Sequence, residues 1–359
     1  MSGGASGTPA RLGYRMPAEW EPHEATWLAW PHNRDDWPGK FASISWVYCE
    51  LVRLLARHES VRVLVRDEGE ERTARRRLRE AAVRLENVEF FHCPTNRSWL
   101  RDTAPLFVKN AAGDVAATNW RFNAWAKYDD WQLDDAVADY IAAQLGLSEW
   151  RPERLGRRLV LEGGSIDVNG RGTLLTTEEC LLSPVQARNP GLSREGIEEA
   201  LREYLGAAKV LWLKSGIAGD DTHGHVDDVA RFVSPDTVAL VSESNSRDEN
   251  YRALAENAEL LQGMTSQDSR KLNIVKLPMP QPVVFKGQRL PASYANFYIA
   301  NRQVLVPTFN DPNDRVALGI LAELFPDREV MAVFSRDLVW GLGTIHCATQ
   351  QQPATGVWE

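Results

Sequence analysis

Ile166-Asp167-Val168, Asn169-Gly170-Arg171-Gly172 and Thr173-Leu174-Leu175-Thr176 run consecutively and read as strand, tight turn and strand. Asn-Gly between two apolar runs is a strong hairpin signal, because both residues tolerate the left-handed backbone that such a turn needs. The pattern recurs. Phe107-Val108-Lys109-Asn110 turns through Ala111-Ala112-Gly113 into Asp114-Val115-Ala116-Ala117-Thr118. Arg231-Phe232-Val233 turns through Ser234-Pro235-Asp236 into Thr237-Val238-Ala239-Leu240-Val241, and Phe297-Tyr298-Ile299 through Ala300-Asn301-Arg302 into Gln303-Val304-Leu305-Val306. The turns are roughly 57 to 66 residues apart, a repeat period that decides architecture more firmly than local propensity.

Working outward, each hairpin is followed by an amphipathic helical pattern, over residues 130–145, 193–205, 250–262 and 314–324. Three of these lead into further strand patterns at 209–213, 273–277 and 329–334. A less regular fifth copy has a strand at 25–30, a helix at 44–58 and a strand at 60–65. Five ββαβ units predict an α/β fold closed into a five-bladed, pseudo-symmetric α/β-propeller around a central cavity. An open doubly wound sheet fits less well, because it alternates single strands with helices. The expected organisation is a flexible tail at 1–15 and one catalytic domain at 16–359.

Composition narrows the function. The 359 residues are 43% hydrophobic, enough for a large core, and the formal charge is -8. That charge opposes a broad phosphate-binding surface, and the basic run 72–79 is interspersed like a solvated helix face, so nucleic acid is not expected as a partner. Residues 1–15 are small and polar without a signal-peptide apolar core, and no segment reaches membrane-spanning length. The expectation is a cytoplasmic protein with no membrane partner.

Four scattered cysteines give neither a disulfide framework nor a Cys-x-x-Cys zinc pair. Cys49, Cys93 and Cys180 lie in apolar patterns and read as buried, inert thiols. Cys347 differs. It lies in Gly341-Leu342-Gly343-Thr344-Ile345-His346-Cys347-Ala348-Thr349-Gln350, between a glycine pair and a polar run, on a segment able to bend and face a cavity. Other chemistry-bearing groups stand just before the hairpins: Arg101-Asp102, Glu162-Gly163-Gly164 and His223-Gly224-His225-Val226-Asp227. Equivalent positions in successive units would converge on the axis.

These motifs, with Met16-Pro17-Ala18-Glu19-Trp20-Glu21-Pro22-His23, Trp27-Leu28-Ala29-Trp30-Pro31, Trp99-Leu100-Arg101-Asp102 and Thr349-Gln350-Gln351, span most of the chain. In that order they resemble the agmatine deiminase and bacterial peptidyl-arginine deiminase family of the guanidino-modifying pentein superfamily. The resemblance implies a hydrolase that needs no metal or cofactor and converts a guanidinium to a ureido group with release of ammonia. Its small-molecule guanidine would be agmatine, giving N-carbamoylputrescine, and the family suggests a homodimer.

A guanidinium is planar and cationic, so two carboxylates can grip its nitrogens and fix its carbon. By position, Asp102 and Asp227 would form that clamp. Cys347 would attack as thiolate, and His225, oriented by Glu162, would protonate the departing ammonia and later deprotonate water. For the distal ammonium of agmatine the resemblance points to Asp221, with Asp220 beside it. Trp99 and Trp120 are candidates for cation-π contact with the substrate.

Two other readings remain open. His223-Gly224-His225-Val226-Asp227 could ligate zinc in a metallohydrolase, although no second clustered histidine pair exists. A non-catalytic amine-binding protein on the same fold is the other. Departures from the family pattern at Ala104, Leu342 and Thr344, where Gly, Gly and Asn are usual, leave free arginine, peptidyl arginine or another guanidine as alternative substrates.

Overall fold

The protein is described as a computed structural model covering residues 7–357. Five mixed sheets carry the chain, and four share one design. Leu106–Lys109 pairs antiparallel with Val115–Thr118, which pairs parallel with Glu149–Trp150. Asp167–Val168, Thr173–Thr177 and Lys209–Leu213 repeat this order, as do Ala230–Ser234, Thr237–Ser242 and Asn273–Pro278. Tyr298–Ile299, Gln303–Thr308 and Glu329–Phe334 complete the set. In each, a helical crossover joins the parallel pair, because parallel neighbours cannot be linked by a tight turn.

The irregular copy is completed by the other end of the chain. Thr349–Pro353 pairs antiparallel with His23–Ala29, which pairs parallel with Ser60–Val65, and Val88–His92 extends that sheet. The antiparallel strand that precedes the central strand elsewhere therefore comes from the C-terminus, a pairing about 320 residues apart that no local pattern announces.

Helices Arg194–Leu205, Asn250–Gln262 and Asp314–Leu324 match the expected positions within a residue. The helix expected at 130–145 is instead a short turn, Gln132–Asp135, followed by Val137–Leu145. Asp134 and Asp135 there accept from the Asn96 and Phe122 amides, respectively, tying the turn to neighbouring loops. Residues 10–15, expected within a flexible tail, are folded: Ala10–Leu12 is a 3-10 turn and Arg15 bridges to Lys109. Four apolar clusters fill the space between sheets and helices, the largest around Phe232, Val241, Tyr294 and Phe309. No helix among the described residues is long and apolar enough to cross a membrane.

Candidate active site

Short turns just ahead of the first strands carry the reactive groups. Leu100–Thr103 precedes Leu106–Lys109, Gly163–Ser165 precedes Asp167–Val168, Val226–Asp228 precedes Ala230–Ser234, and Ile345–Ala348 precedes Thr349–Pro353. The fifth sheet contributes Asn296, just before Tyr298–Ile299. Its amide donates to Cys347 Sγ at 3.1 Å and to Asp228 Oδ1 at 3.0 Å, while its oxygen accepts from Thr344 Oγ1 at 2.7 Å. Sequence reasoning missed Asn296, although the repeat marks its position. Thr344 thereby orients the side chain that touches the nucleophile.

His225 lies among three carboxylates. Its Nδ1 is 4.0 Å from both Asp102 Oδ2 and Asp227 Oδ1, and its Nε2 is 3.9 Å from Glu162 Oε2. Burial works against its charge, but the surrounding carboxylates, Asp102 foremost, prevail and raise its pKa to about 9. Glu162 is pulled the other way, to about 2: its burial is outweighed by the Arg188 guanidinium, whose Nε donates to Glu162 Oε1 at 2.9 Å. Glu162 Oε2, His225 Nε2 and Asp227 Oδ1 are buried without a hydrogen-bond partner.

These charges meet because Gly164 leaves room. A Cβ there would fall 2.6 Å from His225 Nδ1 and 3.0 Å from oxygens of Asp102 and Asp227. Its amide also donates to Asp102 Oδ1 at 2.9 Å. The glycines beside Cys347 serve close approach rather than the expected bend. A Cβ on Gly341 would strike the Trp37 indole at 2.5 Å, and one on Gly343 would lie 3.0 Å from both the Trp99 ring and Cys347 Cβ.

Cys347 is buried, and its Sγ is 3.7 Å from Asp227 Oδ2. Burial, reinforced by Asp227, Asp228 and Asp102, pushes its thiol well above the usual range. That environment favours the neutral thiol, whereas the sequence analysis expects Cys347 to react as thiolate.

Cys347 and Asp102 line a cavity of about 240 Å³ with Trp99, Trp125, Tyr128 and Asp221. Asp35, Asp36 and Asp130 line it too, so its wall is acidic and aromatic with Arg97 as a basic member. Trp99 is held against Trp37, with ring centroids 5.3 Å apart. Trp125 Nε1 donates to Asp102 Oδ2 at 2.9 Å. That contact comes from a left-handed run, Ala124, Trp125 and Ala126, which side chains rarely adopt. No sequence signal pointed to Trp125.

Two expected ligand contacts are corrected. Trp120 packs in the core against Tyr204, with its indole donating to Thr118 Oγ1, so it stands outside the cavity. Asp220 organises its own loop: Oδ1 accepts from Thr222, and Oδ2 accepts from the Gly224 and His225 amides. Only Asp221 of the pair lines the cavity, where it meets Lys127 Nζ and the Tyr128 hydroxyl.

His223, offered with His225 and Asp227 as a zinc set, turns away to Ser183 Oγ at 3.0 Å. Glu162, Cys180 and His225 do bring ligand atoms within 4.8 Å of one another. The Arg188 guanidinium on Glu162 and the proton retained by His225 oppose a cation at that point.

A thiol and carboxylates meet at one acidic cavity, with the His225 imidazole and Asp227 buried behind it. The chain belongs to the Porphyromonas-type peptidyl-arginine deiminase family, whose model matches residues 15–353. It is 38% identical over 370 residues to the agmatine deiminases of Ectopseudomonas mendocina and Pseudomonas aeruginosa, covering 97% of each chain in both comparisons. In structure it resembles the agmatine deiminase of Enterococcus faecalis, with a TM-score of 0.90, 35% identity and 98% coverage of both chains. An amidinotransferase from Microseira wollei shares the fold at a TM-score of 0.53 and 13% identity.

Proposed function

We propose that the chain hydrolyses agmatine to N-carbamoylputrescine and ammonia through a covalent cysteine intermediate. The observation that carries this reading is the meeting of Cys347, Asp102 and Asp221 on one acidic cavity, with the His225 imidazolium buried behind it. Agmatine has a guanidinium for the carboxylates near the thiol and an ammonium for the acidic wall further out.

Asp102 and Asp227 grip the guanidinium and hold its carbon near Cys347. The incoming cation compensates the carboxylates that keep the thiol protonated, so substrate enters as the thiol proton leaves to solvent. The thiolate adds to the guanidinium carbon. His225 then gives its proton to the departing nitrogen as the C–N bond breaks, releasing ammonia and leaving an S-alkylthiouronium. Now neutral, His225 takes a proton from water, whose oxygen adds to the same carbon; collapse breaks the C–S bond as the hydroxyl proton passes to the departing sulfur, leaving the ureido product, the Cys347 thiol and the His225 imidazolium. Glu162 orients His225, Trp99 flanks the guanidinium, and Asp221 receives the distal ammonium in place of Lys127.

The five sheets are read as blades of one ring closed by the pairing of the chain ends, with residues 16–359 as one catalytic domain. The family resemblance extends this reading to a cytoplasmic homodimer. Ammonia release from agmatine, arginine and an arginine peptide, with and without chelator, tests the assignment. Release from agmatine that requires Cys347 and ignores chelator is expected. Release that persists in Cys347→Ala, or that chelator abolishes, overturns it.

A further inference from the structure

Beneath the clamp lies a buried side chain with no part in the steps above. His346 Nδ1 stands 2.7 Å from Asp227 Oδ2, and its Nε2 stands 2.9 Å from Glu19 Oε2. Ionised carboxylates only accept, whereas a neutral imidazole has a single N–H. Burial of Glu19 is outweighed by Arg231, His346 and Arg101, which hold it well below the usual carboxylate range. Asp227 is also held low, its burial outweighed chiefly by His346. Each ring nitrogen thus faces the oxygen of a different carboxylate, Asp227 on one side and Glu19 on the other.

The two oxygens of Asp227 are therefore unlike. Oδ2 meets both His346 Nδ1 and, at 3.7 Å, the Cys347 thiol, while Oδ1 has no hydrogen-bond partner. The ring cannot swing away easily, because Glu19 is itself fixed: Oε1 accepts from the Ile299 amide at 2.8 Å, and Oε2 accepts from Arg101 at 3.1 Å. The His346 amide is further tied to Asn296 Oδ1 at 3.1 Å.

We propose that His346 is a positioning residue that acts through Asp227, setting the plane of that carboxylate so that Oδ1 faces an amidinium or guanidinium, with Glu19 as its rear anchor. This rests on reading Asp227 as half of the clamp.

Two amide variants separate the ends of the ring. Asparagine places an N–H near the Nδ1 position and can keep the bond to Asp227; glutamine reaches toward Nε2 and can keep only the bond to Glu19. The readout is the alkylation rate of Cys347 by cationic 2-chloroacetamidine divided by that for neutral 2-chloroacetamide, which cancels changes in thiol reactivity. Wild type prefers the cation, and His346→Asn retains the preference. His346→Gln loses it by about tenfold or more, the worth of one charge-assisted hydrogen bond.

Equal loss in both variants, or retention in both, overturns the proposal, since a merely structural role does not distinguish the two nitrogens. A wild type that shows no preference overturns the clamp assignment itself. Should His346→Gln fail to fold, Glu19→Gln tests the same relay from behind: a reduced cation preference supports it and an unchanged one overturns it.

Discussion

Two buried charge layers lie back to back, and they use their polar atoms differently. In the deeper layer Arg231 ion-pairs with Glu19 at 2.9 Å and with Asp167 at 3.0 Å, and Glu19 also meets Arg101 and His346. Acid and base are matched closely. In the layer at the cavity, His225 stands 3.9 to 4.0 Å from three carboxylates, and polar atoms of Glu162, His225 and Asp227 lack hydrogen bonds. The deeper layer spends most of its polar atoms on the fold, Arg231 Nη2 being paired with Glu19 by charge but without a hydrogen bond. The upper layer leaves such atoms unpaired, at a cost in stability that the proposed function assigns to a ligand bringing its own positive charge.

Changes in each layer should therefore fail in different assays. The largest effect belongs to Cys347→Ala, which should lower kcat for ammonia release by about 10⁴-fold or more while leaving thermal unfolding nearly unchanged. Arg231→Met should do the reverse. It strands Asp167 without its cation and takes one of two arginines from Glu19, and should cost about 3–5 kcal/mol in denaturant unfolding. Comparable losses of stability in both variants would erase the distinction between the layers.

Gly164→Ala inserts a methyl among His225, Asp102 and Asp227, and displacement of any of them by about an ångström should lower kcat/KM about 100-fold. Normal kinetics in that variant would show that the upper layer tolerates slack.

His225 sharpens the comparison through pH. Its folded pKa of about 9 lies above its ordinary value near 6.5, so its contribution to stability is fully present below about pH 6.5. That contribution is lost as pH rises through about 9. Unfolding free energies measured across this window should decline in wild type and decline less in His225→Gln.

The smallest effect is expected at Leu342. It lines the cavity with φ +68°, a left-handed conformation that disfavours side chains, and caps the turn Leu338–Gly341. Leu342→Gly should relieve about 1 kcal/mol of strain and admit bulkier guanidines, checked by melting temperature and by relative kcat/KM for agmatine and arginine. The strain gives a physical reason for the glycine usual at this position in the resembling family.

Much of the fold was legible because its signals are local. Asn169-Gly170 marked a hairpin, and the spacing of apolar residues placed Arg194–Leu205, Asn250–Gln262 and Asp314–Leu324. The motifs around Asp102, Glu162, His225 and Cys347 likewise advertised their chemistry. Asn296 was missed although the repeat marks its position, because an asparagine before a strand carries no distinguishing local signal, and Trp125 is one tryptophan among 13. Trp120 was misread for the same reason, since an indole's role depends on which face of a sheet it occupies.

By itself the sequence determined the repeating hairpin-helix-strand unit and the recurrence of the candidate groups just before successive hairpins, because periodicity and turn chemistry act over a few residues. Tertiary structure alone decided which groups meet. It joined the two ends of the described chain in one sheet, buried the thiol beside carboxylates that raise its pKa, turned Asp220 into a loop tie, and set His346 between Glu19 and Asp227. Those outcomes depend on distances between residues far apart in the chain, and electrostatic energy in a buried site follows distance and desolvation rather than sequence order.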